Sequence, residues 1–209
     1  MNANEHWRAL VVAGHEGNEP TARAGLTEPD PMARQLALGA LARMGALSDH
    51  DLLAAFADTD GTVRHRAALI AADHPAVSVL PLLADDDATV VEAAAWAAGE
   101  QEDVGDDVIE RLCTLAIDAD DPMVREASVA ALGAIGDERG LPAILAGCVD
   151  KPAVRRRAVL ALAPFDGPEV EAALAAALED RDWQVRQAAE DLAPHMRPDE
   201  DDVAPSEFS

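Results

Sequence analysis

From Asp30 to Ala193 one pattern of apolar and polar positions recurs six times. Anchored on Arg34, Arg64, Val91, Arg125, Arg155 and Arg186, the copies stand 30, 27, 34, 30 and 31 residues apart, the period of stacked helical repeats. One residue before the anchor come Ala33, Val63, Val90, Val124, Val154 and Val185. Three after it come Ala37, Ala67, Ala94, Ser128, Ala158 and Ala189, all small, and seven after it Leu41, Ala71, Ala98, Leu132, Leu162 and Ala193. These offsets share one helical face, so each copy predicts a helix with a buried stripe that lets neighbouring helices approach closely.

Four residues before the anchor stand Asp30, Asp60, Asp87, Asp121, Lys151 and Asp182, followed by Pro31, Gly61, Ala88, Pro122, Pro152 and Trp183. Asp then Pro is an N-cap followed by a first helical position: the carboxylate accepts a free backbone N–H, and proline has none to leave unpaired. The motif helix is therefore the second of a pair. First helices are predicted over 51–57, 75–84, 106–117, 141–149 and 168–179, with joins at Gly136, Gly140, Pro164 and Gly167. No single pair can bury its apolar face without a stacked neighbour. The prediction is an all-α solenoid of about six two-helix repeats over 19–196. Residues 1–18 are expected to form a capping helix and linker, and 197–209 an acidic disordered tail.

The pattern D-x-x-[VA]-R-x-x-A-x-x-[AL]-[AL] resembles the HEAT repeat, in its short Ala-rich form first recognised in phycobilin lyases. The resemblance implies a right-handed α-α superhelix with the motif helices lining the concave face. It also implies a structural ladder in which Arg34, Arg64, Arg125, Arg155 and Arg186 and the acids Asp30, Asp60, Asp87, Asp121 and Asp182 hydrogen-bond between adjacent repeats. Repeat three departs at Val91, which replaces the arginine, and repeat five at Lys151, which replaces the capping acid.

Charge narrows the functional classes. Lys+Arg number 16 against 40 Asp+Glu, a net −24, and such a surface repels phosphate backbones. Nucleic-acid binding is excluded on that ground, including the basic DNA channel of the HEAT-like glycosylases. Acids dispersed over a folded chain, with Arg replacing Lys, read as a salt-adapted cytoplasmic surface such as a halophilic archaeon would carry; the competing reading is a patch for a basic partner. No apolar run reaches membrane-spanning length, and no membrane partner is expected. Cys113 and Cys148 have neither CxxC nor metal-type spacing and read as buried thiols in a reducing compartment.

Catalytic motifs are missing. The six histidines share no spacing. The one His-Glu dipeptide, His15-Glu16, lies outside the motif helices, unlike the iron-binding pairs of the HEAT-like deoxyhypusine hydroxylases. There is no phosphate loop and no G-x-S-x-G, so no metal, cofactor or catalytic residue is assigned. The residue after each anchor is expected to face the groove: Gln35, His65, Glu92, Glu126, Arg156 and Gln187. Trp96, in a chain that is 3% aromatic and has no Tyr, is either an apolar interface anchor or a filler between small neighbours. The basic cluster Lys151, Arg155, Arg156 and Arg157 has three readings: local salt bridges, a dock for an acidic segment of a partner, or a dock for this chain's own Asp199–Asp202. The expectation is a monomeric protein-binding adaptor or scaffold, with Trp96 as anchor and His65, Glu92, Glu126, Arg156 and Gln187 as specificity contacts. Some proteins of this repeat type act as adaptors in taxis signalling. The alternatives are a lyase-like accessory protein holding a small molecule or prosthetic group for a client, and a structural module without a dedicated partner.

Overall fold

A computed structural model describes residues 3–192. Ala193 of the predicted stripe, His195 and the predicted tail lie outside the described residues. Twelve α-helices follow one another without a strand among these residues: α1 (Ala3–Glu16), α2 (Glu19–Gly25), α3 (Pro31–Arg43), α4 (Asp49–Phe56), α5 (Gly61–Ala71), α6 (Ala88–Glu100), α7 (Asp106–Asp118), α8 (Pro122–Ile135), α9 (Leu141–Gly147), α10 (Pro152–Ala161), α11 (Pro168–Leu178) and α12 (Trp183–Leu192). The motif helices are α3, α5, α6, α8, α10 and α12.

Each motif helix starts where its cap dictates. Asp30, Asp60, Asp87, Asp121 and Asp182 accept the backbone N–H two residues on, at 2.8–3.1 Å. Without such a side chain at Lys151, α10 opens on Pro152, with Arg155 N–H donating to the Lys151 carbonyl at 2.8 Å. The small column is fully enclosed: Ala37, Ala67, Ala94, Ser128, Ala158 and Ala189 are each 0% exposed. Where two helices come closest, even a methyl has no room: a Cβ on Gly133 of α8 would stand 2.5 Å from the Ala161 Cβ of α10.

Repeat three corrects the sequence prediction. The span 75–84 is turn and coil, with a single 3₁₀ turn at Leu82–Ala84. Pro81 has no N–H to give and its ring would strike the carbonyl four residues back, so a helix through 77–81 is blocked. The apolar residues are buried all the same: Val77, Val79, Leu82 and Leu83 are at most 3% exposed. Gln101, itself buried, holds the irregular segment by donating Nε2–H to the carbonyls of Ala71 (2.9 Å) and Val77 (3.4 Å).

Successive motif helices pack directly on one another from α3 to α12, whereas first helices of neighbouring pairs touch little, apart from α7 on α9. The motif helices therefore form the more closely packed layer of the stack. At the N-terminal end α1 lies across α2 and α3.

Candidate partner-binding groove

The ladder fixes how the motif helices present their free face. Arg34, Arg64, Arg125 and Arg155 each lay the Nε and Nη2 edge of the guanidinium on one carboxylate of the next repeat: Asp58, Asp85, Asp150 and Asp180, at 2.5–2.9 Å. Nη1 turns back to a carbonyl five or six residues earlier in its own repeat, at 2.7–2.9 Å. The fork geometry explains why arginine rather than lysine stands here.

The acids differ from those expected. Asp30, Asp60, Asp87, Asp121 and Asp182 are committed as N-caps. The rung acid stands two residues before the cap, or one in the case of Asp150, and accepts a backbone N–H at the turn: that of Asp60, Asp87, Lys151 or Asp182. Both duties need a carboxylate, and a D-x-D turn supplies one for each. Hydrogen bonds from Arg64, Arg125 and Arg155 hold the Asp85, Asp150 and Asp180 carboxyls below the usual range. At Asp58 burial works in the opposite direction, and the bonds from Arg34 and the Asp60 N–H outweigh it. Arg186 makes half a rung: its Nη1 reaches the Asp180 carbonyl at 2.7 Å, and no carboxylate partner follows among the described residues. Repeat three has no rung, since Val91 stands at the arginine position; of the two acid positions used elsewhere, one is Ala119 and the other is the exposed Asp120.

Beside that rungless junction, between α6 and α8, lies a groove of about 500 Å³. Its floor is Gly99, Ala127, Ala130, Ala131 and Ala134; Trp96 and Met123 stand on it, and Glu92, Glu100, Glu126 and Arg157 rim it. Trp96 is 45% and Met123 38% exposed. Ala130, Ala134 and Arg157 also border a second recess of about 230 Å³ that runs on past Leu160 of α10 to Pro164. The two recesses share these three residues and line a surface across three motif helices.

Of the residues singled out in the sequence, Trp96, Glu92 and Glu126 meet in this groove. His65 on α5 and Gln187 on α12 belong to other repeats and do not reach it, and Gln187 donates to Asp191 at 2.8 Å. Arg156 stands 3.9 Å and Arg157 3.7 Å from Glu126 Oε1, so two members of the basic cluster lean on a local acid, and Arg155 is a rung. Sequence reasoning missed Met123 and Glu100, which belong to other columns of the repeat.

Among the described residues no group of three or more His, Cys, Asp or Glu stands placed to hold a metal ion, and no helix is long and apolar enough to cross a membrane. Burial pushes the Cys113 thiol up, and that of Cys148 to about 11, so both stay protonated at neutral pH.

Stacked pairs, caps and rungs define a helical repeat solenoid. Residues 76–153 match the family model of HEAT repeats, and 154–180 that of the PBS lyase HEAT-like repeat. No curated protein matches the chain. Among solved structures, a designed armadillo repeat protein in complex with the peptide (KR)4 is similar at a TM-score of 0.61 and 19% identity, over 85% of this chain and 99% of that one. A second designed armadillo repeat protein matches at 0.57 and 19%, over 85% and 99%. An engineered protein matches at 0.56 and 19%, over 83% and 94%.

Proposed function

We propose that the protein is a cytoplasmic, monomeric scaffold or adaptor that holds a segment of a partner protein in the channel along α6, α8 and α10, in signalling such as taxis or in complex assembly. One observation carries the reading: Trp96, nearly half exposed, stands on a floor of alanine and glycine with Met123 beside it. A large aromatic over a small-residue floor is what a binding hot spot requires, because a partner side chain can be fully desolvated against it. Stacking has already ordered the channel, so a partner meets a rigid surface. Glu92, Glu100 and Glu126 on the rim favour a segment carrying basic residues next to its apolar anchor. The designed armadillo protein in complex with the peptide (KR)4 is a solenoid of similar fold with a basic peptide bound.

The test is affinity capture from the native cytoplasm by wild type and by Trp96→Ala, with absorbance and metal scans of both eluates. One stoichiometric protein lost in the variant is the expected result. A bound pigment or metal, with capture indifferent to Trp96, would replace this reading with that of a lyase-like accessory protein.

A further inference from the structure

Each junction of successive motif helices pairs, by repeat register, the residue five after the anchor on the first helix with the residue two after it on the next. Gly39 is so paired with Arg66, and Ala130 with Arg157. Leu69, Trp96 and Leu160 are paired with Ala93, Ala127 and Ala188. A small residue on the first helix goes with an arginine on the second, and a large one with alanine. The arginines use the room this gives them. The Arg66 guanidinium lies on Gly39, where a Cβ would stand 2.9 Å from Nη2. Arg157 borders the recess over Ala130 and stands 3.7 Å from Glu126 Oε1.

Between α6 and α8 the exchange leaves space over. Trp96 replaces the small residue and Ala127 the arginine, yet a groove of about 500 Å³ remains beside an indole that is 45% exposed. The three large residues also differ in what lies one turn away on the same helix face. Leu69 has His65 and Asp73, Leu160 has Arg156 and Pro164, and Trp96 has Glu92 and Glu100. The carboxylates of Glu92 and Glu100 rim the groove and take no hydrogen bond or ion pair among the described residues. Glu126 adds a third carboxylate from α8, and the one arginine of the rim, Arg157, already leans on it.

We infer that the groove takes an arginine of the partner segment, its guanidinium stacked on Trp96 and its N–H edge turned to the carboxylates of the rim. The inference rests on the groove reading and names the side chain that fills the groove. A planar cation over an indole face is attracted by the ring quadrupole. The methylene stem covers the small-residue floor, so one side chain supplies both the apolar contact and the charge. The fork of N–H groups suits a carboxylate better than an ammonium does. Two other junctions are closed by the chain's own Arg66 and Arg157; at this one the arginine position is Ala127, and the partner brings the cation.

The probes are blocked single residues: the N-acetyl amides of arginine, lysine, leucine and citrulline, the last a neutral copy of the arginine shape. Each is titrated into the full-length chain at about 0.15 M salt, where exposed charges are screened beyond about 8 Å. NMR follows the Trp96 indole N–H, assigned by Trp96→Phe, and the backbone amides of Ala127, Ala130 and Ala134. The arginine probe is expected to give saturable shifts confined to the groove, with an affinity at least about threefold above that of the other three. Glu92→Gln/Glu100→Gln should erase its advantage over citrulline, and Trp96→Ala should abolish the shifts at the three alanines. A lysine or leucine probe that binds as tightly as arginine overturns the inference, the leucine result while leaving the groove reading intact. Shifts spread over the acidic surface and unchanged by Trp96→Ala are plain charge attraction and overturn it too. So does the lack of any saturable response at Trp96; partner capture by wild type and Trp96→Ala then decides the groove reading separately.

Discussion

At the junction of α8 and α10, Arg125 crosses to Asp150 and lays two N–H groups on its carboxylate. At the junction of α6 and α8 the arginine position is Val91, which is only 5% exposed. The arginine is gone, and the acid in register with Asp150 is Asp120, which stays exposed to water rather than buried without a partner at the interface. Apolar packing does the work instead. Helix α6 buries Val90, Val91, Ala93, Ala94, Ala95, Ala97 and Ala98, so it is enclosed on nearly every side except the one that carries Trp96. Stacking thus has two interchangeable solutions in this chain. The rung fixes register and direction through a bidentate bond; the apolar junction dispenses with the arginine, and the channel opens beside it.

The largest expected effect breaks a rung outright. Arg155→Ala leaves Asp180, whose side chain is 14% exposed, without its guanidinium, and should cost about 3 kcal/mol, read as a lower urea midpoint. Next comes the reverse experiment at the rungless junction. Val91→Arg puts a charge opposite Ala119 and should cost about 2 kcal/mol. Adding Ala119→Asp rebuilds a rung and should return at least about 1 kcal/mol of coupling in a double-mutant cycle. A cycle with no coupling would mean that the junction no longer has rung geometry.

How much of this was legible in the sequence follows the range of the interaction. The caps were readable because Asp and the N–H it accepts lie two residues apart, and the small stripe because it repeats on one helix face. Rung partners were not readable: they stand 21 to 25 residues apart, and a D-x-D turn offers two acids of which only the fold selects one. The first helix of repeat three was misread by giving apolar content more weight than Pro81, a signal that was present. Trp96, Glu92 and Glu126 could be singled out because each is read within a column of the repeat. Met123, Glu100 and Arg157 join them from other columns, because the groove lies between two helices and a column describes only one.

A smaller contrast should appear on acidification. Asp58, Asp85, Asp150 and Asp180 have folded pKa values below the usual carboxylate value, which is about 3.9 in an unfolded chain. Such a group stabilises the fold fully above that value and loses its contribution as the pH falls through the folded pKa. Between pH 5 and 8 the rungs are therefore indifferent to pH, and below about 4 they weaken progressively. The α6–α8 junction has no rung to protonate. Hydrogen exchange at about pH 3 should thus open α3, α5, α10 and α12 before α6 and α8; uniform loss of protection would show that the two kinds of junction respond as one.

The smallest stability effect belongs to the residue with the largest proposed functional one. Trp96 projects from the free side of α6, with 45% of its surface exposed and a floor of small side chains beneath it. If it is a partner anchor, Trp96→Ala removes little that the free chain uses, and the cost in urea unfolding should stay below about 1 kcal/mol. If it fills space between α6 and α8 in place of the missing rung, the same change should cost about 3 kcal/mol or more, the range for a truncated core aromatic. Loss of partner capture together with a near-native unfolding midpoint is the expected pair of results. It would place the specialisation of this solenoid at the junction where its repeat rule lapses.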